Sequence, residues 1–201
     1  MVSEAVSDLR EPEFTFPPDE GELVAREYAR AAHILEYGSG GSTVLAARST
    51  DAQVLSIESD KAWAENLSAY LQAQNISMER VIVHWADIGP TGKWGYPTDQ
   101  SKWRKYPGYA LCPWDEFDIA PDVVLIDGRF RLACLAATLL FATKPTTVLF
   151  DDFNHREVYQ VARQFIKPVQ SVGRMAKFEI EPSGNYTPEL AAMIRWFFVL
   201  K

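Results

Sequence analysis

The chain has 201 residues, of which 47% are hydrophobic and 23% are charged, and its formal net charge is −7 at pH 7. This composition is typical of a soluble globular protein, and the negative charge disfavours nonspecific binding to nucleic acid, which needs clustered Lys and Arg. No apolar run approaches the ~20 residues that cross a bilayer, and the first 13 residues lack the features of a signal peptide, so we expect one cytoplasmic domain over residues 1–201.

Apolar runs alternate with helical patterns along the chain. An N-terminal extension, residues 1–18, contains three prolines and precedes a helical stretch at about 19–31; it lies either over a ligand or on a sheet edge. The predicted strands are 32–37, 53–58, 80–85, 122–127 and 146–151, followed by two late strands at 174–180 and 195–200 with a turn-rich link at 181–185. The predicted helices between them are 43–48, 60–74 with Asp60 as N-cap, 132–142 and 157–166. This alternation predicts a three-layer, doubly wound α/β fold with a mostly parallel sheet.

A glycine-rich turn follows the first predicted strand. Gly38, Gly40 and Gly41 lie within four residues, and they allow the backbone to approach a ligand without an obstructing Cβ. Glu58 ends the next apolar run, where a carboxylate can accept hydrogen bonds from the hydroxyls of a ribose. The spacing differs from the G-x-G-x-x-G dinucleotide fingerprint, which favours a ligand that carries a cation over one that carries a pyrophosphate.

These segments resemble the first two motifs of the class I S-adenosylmethionine-dependent methyltransferases. The resemblance implies a seven-stranded sheet that ends in an antiparallel hairpin, with S-adenosylmethionine as cofactor and S-adenosylhomocysteine as product. Glu36 would then meet the amino acid part, Glu58 the ribose, and Asp87 the adenine amine, with Ile88 or Trp63 as an apolar wall. The candidate cofactor residues are Glu36, Gly38, Ser39, Gly40, Gly41, Ser42, Thr43, Glu58, Ser59, Trp63, Asp87 and Ile88.

A second group of acids follows the fourth and fifth predicted strands. Asp127-Gly128 and Asp151-Asp152 resemble the pattern of the metal-dependent O-methyltransferases of the macrocin and catechol type. By that resemblance Asp127, Asp151 and Asp152 would hold Mg²⁺, which would lower the pKa of a substrate hydroxyl. Arg129 stands where sugar-modifying relatives usually have an acid, and it could instead pair with Asp151 or Asp152 and give a metal-free pocket.

His155 and the segment 89–121 complete the candidate site. His155 could act as general base, since its unperturbed pKa lies near neutrality, or it is a surface residue at a helix entry. We therefore assign catalysis to Asp127, Asp152 and His155. The aromatic-rich segment 89–121 predicts a lid that sets specificity; alternatively it covers an exposed flank or forms a homodimer contact.

The sequence favours an S-adenosylmethionine-dependent methyltransferase that acts on an oxygen of a small molecule. Two alternatives remain open. One is a methyltransferase-like protein that binds the cofactor without turnover, because an acid is missing near Asp127. The other is an NAD-dependent oxidoreductase on a similar sheet, which the glycine spacing disfavours.

Overall fold

A twisted, mostly parallel sheet forms the centre of the protein in a computed structural model, which describes residues 10–182, 186 and 190–200. The strands are β1 His33–Tyr37, β2 Gln53–Glu58, β3 Val81–Trp85, β4 Val123–Ile126, β5 Thr146–Phe150, β6 Gln170–Val172 and β7 Met175–Ile180. Their order across the sheet is β3-β2-β1-β4-β5-β7-β6, and β7 pairs antiparallel with both β5 and β6. The predicted doubly wound fold with an antiparallel C-terminal hairpin is confirmed.

The helices cover both faces of this sheet. They are α1 Pro18–Tyr28, α2 Gly41–Ser49, α3 Lys61–Ala73, α4 Tyr106–Glu116, α5 Arg131–Phe141 and α6 Leu190–Trp196, with 3₁₀ turns at Lys93–Gly95, Trp103–Lys105, Phe153–His155 and Glu157–Gln164. One apolar core lies between the sheet and α1, α2 and α3, and a second lies between the sheet and α4, α5 and α6. Over the described ranges, no helix is long and apolar enough to span a membrane.

Burial on both faces explains the composition of the central strands. All four residues of β4 are buried, and β1 is buried after its first residue, as expected for parallel strands covered by helices on both sides. Asp60 caps α3 as predicted, because its carboxylate accepts a hydrogen bond from the Trp63 backbone amide at 2.9 Å.

The C-terminal prediction was partly wrong. The hairpin is formed by β6 and β7, whereas the stretch expected to be a strand at 195–200 continues from α6, which buries Met193 and Trp196 three positions apart. Residues 183–185 of the predicted turn lie outside the described residues. The helix predicted at 157–166 is a 3₁₀ helix, Glu157–Gln164.

The segment 89–121 divides into two parts with different roles. Its first half forms an irregular loop with two short 3₁₀ turns. Its second half is α4, which buries Tyr106, Tyr109 and Cys112 in the core. Only the first half can therefore act as a lid, because α4 is part of the packing that supports the sheet.

Candidate functional site

A cavity of about 840 Å³ lies beyond the carboxyl ends of the parallel strands. It is centred where the strand order reverses between β1 and β4, which is the usual ligand position in open α/β sheets. Its volume is within the range of small-molecule sites. Of the candidate residues, those that line it are Gly38, Ser39, Gly40, Gly41, Ser42, Glu58, Ser59, Trp63, Asp127, Asp151 and Asp152.

Two glycines bring the turns after β1 and β4 into backbone contact. Gly38 has φ +98°, and a Cβ there would lie 2.7 Å from the Gly128 nitrogen. A Cβ on Gly128 would lie 2.0 Å from the Tyr109 hydroxyl oxygen. Because neither position has room for a side chain, the two turns meet directly and form the floor of the cavity.

Glu36 does not face this cavity, contrary to the prediction. Its carboxylate is fully buried, and it accepts hydrogen bonds from the Tyr28 hydroxyl at 2.7 Å and from the Thr43 hydroxyl at 2.5 Å. The Thr43 oxygen in turn accepts from the Gly40 amide at 3.0 Å. Burial raises the pKa of Glu36, against the hydrogen bonds that lower it. Glu36 and Thr43 therefore support the glycine turn from below.

Glu58 faces the cavity and connects two turns. One carboxylate oxygen accepts from the backbone amides of Ser59 at 2.7 Å and Asp60 at 2.8 Å, and the other accepts from the Ser39 amide at 3.2 Å. Burial raises the pKa of Glu58, although these amide bonds oppose the rise. The oxygen that faces Ser39 retains capacity for another donor, since a carboxylate offers about four acceptor positions.

Trp63 forms a flat wall beside the glycine turn. Its indole N–H donates to the Ser39 carbonyl at 2.8 Å, which fixes the ring, while 42% of the residue remains exposed. The other two residues expected around an adenine lie elsewhere. Ile88 is 1% exposed in the core, and Asp87 is at the surface in an ion pair with Lys105 that lowers the pKa of the carboxyl group. Neither residue lines the cavity, so we do not expect either of them to contact a ligand that binds there.

The N-terminal extension covers one side of the cavity. A Cβ on Gly41 would lie 2.5 Å from both the Glu13 carbonyl oxygen and the Phe14 Cα, so the chain passes directly over this turn. We call the described part of this extension, residues 10–17, the strap. Glu11 fixes the strap by an ion pair with Arg48 at 2.7 Å and by accepting from the Tyr70 hydroxyl at 2.9 Å. Residues 1–9 of the predicted extension lie outside the described residues.

The lid loop, residues 89–105, also lines the cavity, next to the end of β2. Ser59 donates from its hydroxyl to the Gly95 carbonyl at 3.1 Å, which places the loop directly over the end of β2. Gly95 has φ +68°, and a Cβ there would lie 2.3 Å from the Ser59 hydroxyl oxygen. Trp94 and Tyr96, on either side of Gly95, line the cavity. The sequence indicated these aromatics as lid residues but did not show which of them reach the site.

Arginines neutralise the three aspartates that were expected to hold a metal. Arg131 donates to Asp127 at 2.9 Å and to Asp152 at 3.3 Å. Arg174 donates to Asp151 at 2.7 Å, and Arg156 donates to Asp152 at 2.6 Å. A divalent ion needs these oxygens free, so the three carboxylates do not fit a Mg²⁺ site. Within the described residues, no group of three or more His, Cys, Asp and Glu is arranged to hold a metal.

The ion pairs with the aspartates that the sequence analysis considered for Arg129 are formed instead by Arg131. Arg131 is 4% exposed and joins the ends of β4 and β5, whereas the Arg129 guanidinium lies 4.0 Å from the centre of the Tyr96 ring. A sequence signal for the true pairs existed, since Arg131 and Arg156 each follow an aspartate by four residues. The pairing of Arg174 with Asp151 could not be predicted from sequence spacing, because the β6–β7 hairpin brings Arg174 to the site from a distant part of the chain.

Asp127 remains the best candidate for a proton acceptor. Burial raises its pKa to about 7, the neighbouring Asp151 and Asp152 add to the rise, and Arg131 opposes it. Its side chain lines the cavity and is 31% exposed. His155 is exposed at the end of a 3₁₀ turn and does not line the cavity, so the structure favours the surface interpretation of this residue.

Solved structures share this fold. A methyltransferase-like protein from Silicibacter pomeroyi is 44% identical to this chain with a TM-score of 0.88, and the match covers 94% of this chain and 98% of that one. An O-methyltransferase from Bacillus cereus, solved in complex with SAH, is 18% identical with a TM-score of 0.56 over 84% of this chain and 82% of its own. A methyltransferase from Geobacter sulfurreducens is 14% identical with a TM-score of 0.55, over 83% and 80%. At such identities the last two show the fold alone. Neither family models nor curated proteins give a match.

The raised pKa of Asp127 predicts a pH dependence of stability. The native pKa of about 7 exceeds the unfolded value of about 3.9, so this carboxyl contributes stability at low pH that is lost as the pH rises through about 7. We expect the free energy of unfolding of the wild type to fall relative to Asp127→Asn between about pH 4 and about pH 7. Solvent screening of a side chain that is 31% exposed limits the change to about 2 kcal/mol.

Urea denaturation at a series of pH values measures this difference. Asp118→Asn, at an exposed position, serves as the control and should follow the wild-type curve. Glu36 and Glu58 are common to all three proteins, so their own titration cancels from the comparison. A difference between wild type and Asp127→Asn that stays constant over this range would contradict the assignment.

Proposed function

Since this chain belongs to the class I S-adenosylmethionine-dependent methyltransferase family, we propose that it binds S-adenosylmethionine in the cavity at the β1–β4 switch point and transfers its methyl group. The observation that carries the proposal is the joint presence of the glycine turn, Glu58 and Trp63 around one cavity. The glycine turn offers backbone groups at close range, Glu58 offers an oxygen that has room for a ribose hydroxyl, and Trp63 offers a flat apolar surface for a base.

The amino acid part of the cofactor needs a partner other than Glu36. The glycine turn lines the cavity, and its carbonyl groups are acceptors that favour a bound ammonium group. Glu36 contributes indirectly by fixing Thr43 and hence the turn. The negative charge beside the glycine turn therefore comes from Glu58, since Asp127 is paired with Arg131.

The acceptor is proposed to be a small molecule that is methylated on oxygen. When bound, S-adenosylmethionine would supply an electrophilic methyl group. The acceptor oxygen would bond to the methyl carbon as the carbon–sulfur bond breaks, with S-adenosylhomocysteine as the leaving group. Asp127 is placed to take the proton of the acceptor hydroxyl, because a carboxyl group with a pKa of about 7 is present in both protonation states near neutral pH. Asp152 is less suited to this role, since its Oδ2 atom accepts hydrogen bonds from two arginines, Arg131 and Arg156, whereas Asp127 accepts, among the described arginines, from Arg131 alone.

The strap and the lid exclude water from the reaction. Phe16 from the strap and Trp94 from the lid loop both line the cavity. Closure over a bound cofactor would orient the acceptor and strengthen electrostatic interactions inside the site. Positioning and proton acceptance by Asp127 are thus the chain's own contributions to the reaction.

Ligand-induced thermal stabilisation tests the cofactor assignment. We expect S-adenosylhomocysteine at about 100 times its Kd to raise the melting temperature by on the order of 5 °C, because it binds the folded state only, whereas NAD should give no shift. Glu58→Gln should weaken the binding of S-adenosylhomocysteine about tenfold or more through the loss of a charged acceptor.

Glu65→Gln is the matched control for this experiment. It makes the same change at an exposed carboxylate in α3 that does not line the cavity, so the Kd for S-adenosylhomocysteine should stay at the wild-type value. A shift with NAD and none with S-adenosylhomocysteine would overturn the proposal. Equal Kd values for wild type and Glu58→Gln would remove Glu58 from it.

Isotope-labelled methyl transfer tests the acceptor chemistry. Wild-type protein incubated with methyl-labelled cofactor and a library of small hydroxyl compounds should give a labelled methyl ether or ester, identified by mass spectrometry. Asp127→Asn should lower kcat by about 100-fold, because a general base contributes a factor of this order. His155→Ala should retain wild-type activity, since His155 lies outside the cavity lining. Label on nitrogen or carbon, or full activity in Asp127→Asn, would contradict the assignment.

A further inference from the structure

Arg129 is a buried cation without a carboxylate partner. It is 8% exposed and lines the cavity, yet it forms no ion pair with any Asp or Glu among the residues that the structure describes. The other cavity arginines each pair with an aspartate. A buried guanidinium is costly unless it is paired, and its contact with the Tyr96 ring compensates only part of that cost. Because Arg129 lines the cavity, the donors that its contacts with Tyr96 leave free are available to an acceptor that binds there.

The charges around Arg129 leave one positive charge in excess. Four guanidinium groups line this part of the cavity, against the three carboxylates of the aspartate cluster. Those carboxylates are engaged by Arg131, Arg156 and Arg174, so the excess falls at Arg129. The whole chain carries a net charge of −7, which makes this positive region a local feature.

The lowered pKa of Tyr96 reflects the same positive potential. Burial raises the pKa of its hydroxyl, but the charges and hydrogen bonds of Arg129 and Arg156 outweigh burial and lower the pKa overall. Tyr96 and Arg156 also line a second cavity of about 670 Å³, together with Glu157 and Val158. Because both residues line both cavities, the second cavity adjoins the first and gives an acceptor a route to Arg129.

We propose that the methyl acceptor carries an oxyanion group, a carboxylate or a phosphate, that binds between Arg129 and Arg156 beside the Tyr96 hydroxyl. This inference rests on the proposed methyltransferase function. The planar guanidinium of Arg129 presents paired donors that match the two oxygens of either group. Arg129 follows Asp127 by two residues, so an acceptor anchored by its anion lies beside the proposed base.

Calorimetric titration of oxyanions into protein saturated with S-adenosylhomocysteine tests the inference. Benzoate and inorganic phosphate are the two probes, and they distinguish a carboxylate site from a phosphate site; benzamide is the neutral match for benzoate. We expect saturable binding of at least one oxyanion and none of benzamide. Arg129→Met should weaken that binding by roughly 10- to 100-fold, and Arg129→Lys should recover part of it, because it keeps the charge without the planar fork.

Arg104→Met is the matched control. Arg104 lies in the lid loop, with its guanidinium over the exposed Trp103 ring, and it does not line the cavity, so its loss should not change oxyanion binding. Binding of S-adenosylhomocysteine is measured first on every sample, which also shows that each variant is folded. Arg129→Met should keep the wild-type affinity for this cofactor product.

The possible failures are distinguishable. Protein that binds S-adenosylhomocysteine but neither oxyanion, or that binds an oxyanion equally with and without Arg129, overturns the inference and leaves the proposed function standing. A large loss of cofactor affinity in Arg129→Met would assign the guanidinium to the carboxylate of the cofactor and would also overturn it. Failure of the wild type to bind S-adenosylhomocysteine would contradict the proposed function itself.

Discussion

The direct contact between the turns after β1 and β4 is the constraint on which the site depends. Gly38 and Gly128 meet backbone to backbone, and the Tyr109 hydroxyl lies against Gly128, so a side chain on either glycine would collide with main-chain or core atoms. Tyr109 comes from α4, which ties the floor of the cavity to the hydrophobic core. This close contact sets the cavity at the strand-order reversal and keeps both turns open to a ligand.

The acids at the strand ends have different roles because their surroundings differ. Glu36 is enclosed by Tyr28 and Thr43 and supports the glycine turn, whereas Glu58 is held by backbone amides and keeps an oxygen towards the cavity. The aspartates after β4 and β5 are neutralised by arginines from α5, from the loop after β5 and from the hairpin. The cavity therefore carries a carboxylate, Glu58, where a cofactor ribose would bind, and a cation beside Tyr96, Arg129, that has no carboxylate partner among the described residues.

Sequence patterns predicted the parts of the protein that follow from local periodicity. The five parallel strands and the glycine turn were recovered because buried strands give continuous apolar runs and the turn needs glycine. The stretch 195–200 was misassigned, since a short apolar run has no period that separates a strand from a helix end. The inward position of Glu36 and the excess charge of Arg129 could not be predicted, because both depend on contacts across the fold, with Tyr28 in α1 and with Tyr96 in the lid.

The central claim is that a sulfonium nucleoside occupies the switch-point cavity with its sugar on Glu58. A crystal structure of the protein with S-adenosylhomocysteine tests this claim most directly. The ligand should lie between Trp63 and Asp127, with a ribose hydroxyl within hydrogen-bond distance of the Glu58 oxygen that faces Ser39 and with Glu36 still bound to its buried partners. A ligand seated elsewhere, or Glu36 turned out to contact it, would contradict the account.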